Sequence, residues 1–211
     1  MGEGFACRPG SIRPVTSLIA ALAWSILRGC IWIARVRLGF GGDTKACLMR
    51  VAIISDIHDN IRKLRAALRK LDGVGEVICL GDLCSPFIIK ELGEGFSGPL
   101  HIVFGNSDGD RYRITETARK YPHLKIHGEY ADLEIDGRKF SVNHFDDIGK
   151  AIAAAGNHDV VCYGHSHRFG VEKKGKTLSV NPGEIFGVLT GKSTFAIYDT
   201  RTGEAERVDV D

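Results

Sequence analysis

The chain has 211 residues, 44% of them hydrophobic and 26% charged, with a formal net charge of +2, so it is long enough for one domain with a proper core and ordinary in composition for a globular protein. The charge is uneven: residues 1–48 carry six Lys/Arg against Glu3 and Asp43, and the remainder is slightly acidic. No phosphate-neutralising basic stripe is present, which argues against extended nucleic-acid binding, and the cysteines form no C-x-x-C pair, which argues against zinc-ribbon and thioredoxin-like classes.

Residues 14–27 form an apolar run preceded by Arg8 and Arg13, and a second run, Ile31–Ala34, ends at Arg35. The first is shorter than the roughly 20 residues a membrane span needs. Arg28-Gly29-Cys30 is a poor cleavage site for a signal peptide. Met1 and Met49 are the only methionines, and Met49 stands just before the first convincing strand. Residues 1–48 are therefore read as a non-native or misassigned extension, ahead of a surface anchor or a targeting segment, and residues 49–211 as the functional domain.

From Met49 the pattern is regular. Residues 50–55 are nearly all apolar and read as a strand buried on both faces. Ile61, Leu64, Ala67, Leu68 and Leu71 recur at helical spacing, and Gly73 and Gly75 end that helix. Strands follow over 76–80 and 100–104, with a short helix over 86–92 between them and another over 115–121, stopped by Pro122. Strands over 130–135 and 138–142 form a hairpin across Asp136-Gly137, a pair suited to a type I′ turn. A helix over 148–155, a strand over 159–163, and paired strands over 169–173 and 177–180 and over 194–198 and 205–210 complete the chain. The first half alternates strand and helix and the second is mostly strand, which predicts an α/β four-layer sandwich: two packed β-sheets flanked by helices. Cys79 and Cys162 fall inside strands, as small core residues of a cytoplasmic protein would.

Chemistry-bearing residues gather where strands end. Asp56 and His58 follow the first strand, at i and i+2, where extended backbone would aim both at one cation. Asp82 follows the second strand and Asn106 the third. His144 ends the hairpin, and His165 and His167 form another i, i+2 pair after a strand. Neighbouring parallel strands are about 5 Å apart, so such groups can converge. Carboxylate, amide and imidazole ligands suit divalent cations.

These segments (Asp56-Ile57-His58, Gly81-Asp82, Gly105-Asn106, Asn143-His144, Gly164-His165-Ser166-His167 and Asn181-Pro182-Gly183) resemble, in order, the motifs of the calcineurin-like metallophosphoesterases, over residues 50 to about 200. The small single-domain archaeal and bacterial phosphodiesterases of that superfamily are the nearest group. The resemblance implies the same four-layer fold, with a metal site at strand ends. It implies that Asp56, His58 and His167 hold one divalent metal and Asn106, His144 and His165 the other, with Asp82 bridging. Asp82, Asn106 and His144 then also carry catalytic roles. Manganese is the first choice of metal, with nickel, iron, cobalt and zinc compatible. The implied reaction is hydrolysis of a small phosphoester, first a phosphodiester, by in-line attack of a hydroxide held between the metals. The competing reading is a protein-binding scaffold of the same fold with little or no catalysis. No membrane association is expected for 49–211, and the oligomeric state is not legible.

Four departures stand out. Phe145 and Asp146 replace a glycine and a second histidine common after the hairpin histidine. Ser107 occupies the place where larger relatives have a proton-donating histidine, leaving Asp108 or water for that task. Glu184 replaces a small residue after Asn181-Pro182-Gly183, which is read as a structural turn. Arg168, after the last ligand, is either a substrate contact or a solvated cation. Gly156-Asn157-His158-Asp159 imitates the relatives' asparagine–histidine motif but precedes a strand and is set aside.

Overall fold

A computed structural model describes residues 49–210, so the expected extension over 1–48 and its apolar runs lie outside the described residues. No helix of the described residues is long and apolar enough to cross a membrane.

Among the described residues eleven strands form two sheets. In the six-stranded sheet the order is β11 (Glu204–Asp209), β10 (Thr194–Asp199), β1 (Arg50–Ile54), β2 (Glu76–Cys79), β3 (Leu100–Ile102) and β4 (Leu124–Ile126). Strands β1 to β4 are parallel, and β10 runs antiparallel to β1. The five-stranded sheet orders β5 (Tyr130–Ile135), β6 (Arg138–Asn143), β7 (Val160–Cys162), β9 (Thr177–Pro182) and β8 (Phe169–Lys174), with β6, β7 and β9 parallel. Helices α1 (Ile61–Leu68), α2 (Pro86–Gly95) and α3 (Arg111–Ala118) cover the first sheet, and α4 (Asp146–Ala155) covers the second.

The layering follows from the side-chain period of two in a strand. In β1, Ala52 and Ile54 join the core under the helices, while Val51 and Ile53 join the core between the sheets. A strand packed on both faces must be apolar throughout, which is why 50–54 shows no alternation. Cys79 and Cys162 are free and fully buried in these cores.

Two elements depart from expectation. Helix α3 begins at Arg111, four residues before the predicted start, because the Asp110 side chain caps it by accepting from Arg113 N at 3.0 Å. Strand β4 was not expected; its three residues are too few to show a period, and pairing with β3 defines it. Asp136 and Gly137 both have positive φ (49° and 74°), as a type I′ hairpin turn requires.

The topology sets the carboxyl ends of β1, β2 and β3 side by side in one sheet, and those of β6 and β7 side by side in the other. All seven candidate ligands follow these five strands.

Candidate metal centre

The backbone at these strand ends is not extended. Asp56, His58, Asp82, His165 and His167 all have positive φ, between 43° and 67°. Left-handed backbone at non-glycine residues is costly and concentrates at functional sites. The expectation that i and i+2 side chains point together along extended chain is therefore corrected at both pairs. Asp56 and His58 do meet, but through left-handed backbone at each, on either side of Ile57. His165 and His167 instead diverge to different partners.

The bends are held by main-chain bonds. Ile57 N and His58 N both donate to Asp82 O at 3.0 Å, joining the loops after β1 and β2. His165 N donates to Asp56 Oδ2 at 3.2 Å, joining the two sheets. Two glycines make room: a Cβ at Gly105 would stand 2.2 Å from Asp82 Oδ1, and one at Gly164 would stand 2.0 Å from Ser55 Oγ.

Two sets of side chains result. Ligand atoms of Asp56, His58 and His167 lie within 4.8 Å of one another, as do those of Asp56, Asp82 and His144. In the first set, Asp56 Oδ1 is 3.3 Å from His167 Nε2 and 3.9 Å from His58 Nε2. Asp82 Oδ2 sits between the sets, 3.4 Å from His58 Nε2 and 3.5 Å from His144 Nε2. Asn106 Oδ1 closes the second, 3.0 Å from His144 Nε2 and 2.9 Å from His165 Nδ1. Asp56, Asp82 and His144 are buried, whereas Asn106 and His165 are exposed, so the cluster opens to solvent on their side.

The donor chemistry fits cations. His144 Nδ1 donates to Leu80 O at 2.8 Å, and His167 Nδ1 donates to Glu184 Oε2 at 2.7 Å. Each ring then presents its Nε2 lone pair to the cluster. Those lone pairs face oxygens of Asp56, Asp82 and Asn106 that are themselves acceptors. Asp56 Oδ1 and His58 Nε2 are buried without a hydrogen-bond partner. Acceptors meeting acceptors at such distances repel unless positive charge lies among them, and ligand bonds of about 2.1 Å make neighbouring ligand atoms roughly 3.0–3.4 Å apart. Burial pushes the Asp56 carboxyl above its ordinary value, while the nearby imidazoles pull the other way.

Three residues that build the site were missed or misjudged from sequence. Asp108 was a candidate proton donor, and the structure gives it another task. Its Oδ2 accepts from Asp82 N and Gly105 N at 3.1 and 2.7 Å, and its Oδ1 from Leu83 N and Cys84 N at 2.7 and 3.0 Å. With both oxygens taken by amides it positions the loops after β2 and β3. Glu184, fully buried, steadies His167 and takes the Thr190 N–H and hydroxyl on Oε1 at 2.8 and 2.7 Å. Its only sequence signal was a carboxylate next to a turn. Ser107 donates to Asp82 Oδ1 through its N–H and to Oδ2 through its hydroxyl, at 2.8 and 3.1 Å.

Asn181 and Pro182, expected in a turn, instead end β9; the Asn181 amide donates to Gly164 O at 2.9 Å and Ser166 Oγ at 3.0 Å, bracing the histidine loop. Gly156 is the left-handed cap of α4, and His158 pairs with Asp132 at 2.8 Å, so the imitating motif belongs to neither set of ligands. Phe145 packs its ring 5.2 Å from His144 and 5.3 Å from His165, and Phe186 lies 5.2 Å from His58, giving the opening two aromatic walls.

Comparison with known proteins bears on the family and the fold. Residues 49–203 match the calcineurin-like phosphoesterase superfamily domain. A phosphodiesterase of Methanocaldococcus jannaschii is 34% identical over 164 residues, spanning 76% of this chain and 98% of that protein. A solved archaeal phosphodiesterase superposes with a TM-score of 0.71 at 32% identity, covering 76% of this chain and 99% of its own. Vps29 from Entamoeba histolytica, in a single-site variant, shares the fold at a TM-score of 0.55 and 20% identity, over 76% of this chain and 99% of the other.

Proposed function

The chain belongs to the calcineurin-like phosphoesterase superfamily, and on that premise we propose that it hydrolyses a phosphodiester with two divalent cations held by the seven side chains described above. It is a phosphoesterase, a hydrolase acting on ester bonds. The observation that carries the finer reading is the convergence of acceptor atoms from both sheets around Asp82 Oδ2, with Asp56 Oδ1 and His58 Nε2 buried beside it without a hydrogen-bond partner.

Asp56, His58 and His167 would hold one cation and Asn106, His144 and His165 the other, with Asp82 shared. When bound, such cations attract the phosphate anion and bring the ionisation of a water near neutral pH, supplying the nucleophile for in-line attack. The protein's own part is placement. Asp82, fixed on one oxygen by Ser107 N and at its backbone by Asp108, keeps the sets together. His144 and His167, locked by Leu80 O and Glu184, aim fixed lone pairs. Asn106 and His165 stand at the open edge, where substrate enters. Asp108 is engaged elsewhere and Ser107 is a poor acid, so the leaving group receives no side-chain proton from these two. Diesters with acidic leaving alcohols should therefore react fastest.

Manganese is the proposed physiological metal, the cytoplasm the proposed compartment, and residues 49–211 the catalytic domain. The test is to strip the full chain of metal, restore manganese, iron, cobalt, nickel or zinc singly, and assay aryl phosphodiesters and monoesters. Turnover with at least one metal, faster on diesters, is expected. A folded, metal-loaded chain that turns over neither would leave the non-catalytic scaffold.

A further inference from the structure

Beside the metal centre lies a small concavity of about 180 Å³, with His167, Arg168, Thr190, Lys192 and Arg207 in its wall. It is smaller than the roughly 300–1,000 Å³ clefts that engulf a whole ligand, and suits a single small group. Three of its side chains are cations, and no carboxylate lines it. Arg207 is shared with Asp209, to which its Nε donates at 2.9 Å, and its guanidinium lies 5.9 Å over the Phe169 ring. Among the described residues neither the Arg168 nor the Lys192 side chain has an ion-pair or hydrogen-bond partner. Like charges gathered on one small concavity repel each other, and an anion reverses that repulsion.

The wall is also fixed in place. Thr190 is bound through both its N–H and its hydroxyl to Glu184, the same carboxylate that steadies His167. His167 faces Asp56 with Nε2 and borders the pocket with its ring, so an anion seated here is separated from the metal centre by one side chain.

We propose that this pocket is a second anion subsite, which takes a phosphate group carried by the substrate in addition to the ester being cleaved. The substrate class is then a phosphodiester bearing a further phosphate. This rests on the phosphodiesterase reading of the adjoining centre. Arg168 supplies a fork suited to phosphate oxygens and Lys192 a mobile point charge.

The test uses the full chain and the double variant Arg168→Gln/Lys192→Gln, both at exposed positions. With manganese added, a dithymidine phosphodiester carrying a terminal phosphate should show a KM about tenfold below the same compound without it. The double variant should lose that preference while keeping its kcat on bis(p-nitrophenyl) phosphate and its melting temperature. No preference in the natural chain, or one that survives in the variant, overturns the subsite. In a second arm, inorganic phosphate is titrated into the metal-stripped chain, where the neighbouring centre has no cation to offer. Binding should be present in the natural chain and lost in the variant; equal binding, or none, overturns the proposal. That arm needs no turnover, so a chain that cleaves no diester would defeat the phosphodiesterase reading while the subsite is still decided.

Discussion

Nδ1 of His167 lies 2.7 Å from Oε2 of Glu184, a carboxylate with no solvent exposure. A buried carboxylate behind a ligand histidine fixes the ring and makes its other nitrogen a stronger donor, and loss of such a partner costs metal affinity about 10–100-fold. Glu184→Gln keeps the shape and removes the charge. Calorimetric titration of manganese should show affinity weakened by about tenfold or more at one site. Unchanged affinity would reduce Glu184 to a structural bridge to Thr190.

Asp108→Asn separates positioning from proton donation. The amide that replaces one oxygen would face main-chain N–H donors, leaving at least two of them unsatisfied. Each such group costs about 1–3 kcal/mol, so the melting temperature should fall by several degrees or more and metal content should drop. A variant with full stability and full metal content but slow turnover would restore Asp108 as the acid.

Asp56 is buried beside other acceptors, and only positive charge makes its ionised form welcome. Manganese at about 100 times its dissociation constant should stabilise the natural chain by roughly 2.7 kcal/mol, read as a rise in melting temperature that a chelator reverses. In Asp56→Asn that rise should vanish, while the metal-free variant should be at least as stable as the metal-free natural chain. A variant that still responds fully to manganese would remove Asp56 from the ligand set.

At the end of β4, burial, helped by His101 and Lys125, lowers the pKa of His127 to about 4 from its usual 6.5. The unfolded chain takes up this proton near pH 6.5 and the folded chain only near 4. Between those values the unfolded state binds more protons, so stability is complete above the upper limit and declines as pH falls toward the lower. The effect should be about 1 kcal/mol once solvent screening at this partly exposed position is allowed for. Melting curves of the natural chain and His127→Gln, compared over this range, should show a flatter profile for the variant. Parallel profiles would assign the acid sensitivity elsewhere.

Much of the fold was legible because apolar runs and helical spacings are local: β1, α1 and the Asp136-Gly137 hairpin need only their own neighbours to declare themselves. The residues that converge at the cluster were legible for a related reason, since each follows a strand that the chain itself announces. What was hidden depends on distant partners. The left-handed turns at Asp56, His58 and Asp82 are held by bonds between separate loops, and extended backbone was the wrong default at Asp56 and His58. Asp108 reads as a loop acid until three amides from the loop after β2 join the Gly105 amide of its own loop around it. Glu184 gains its meaning only when Gly164–His167 folds over the turn that precedes it.

His144 belongs to one sheet, and its Nδ1 proton rests on the Leu80 carbonyl of the other. That bond turns the centre into a rivet through both slabs of the sandwich. Prising the slabs apart, by heat or by enlarging a side chain between them, would scatter the ligands before either slab frays. Cation loading should accordingly disappear in step with the seam and not trail the melting of individual strands.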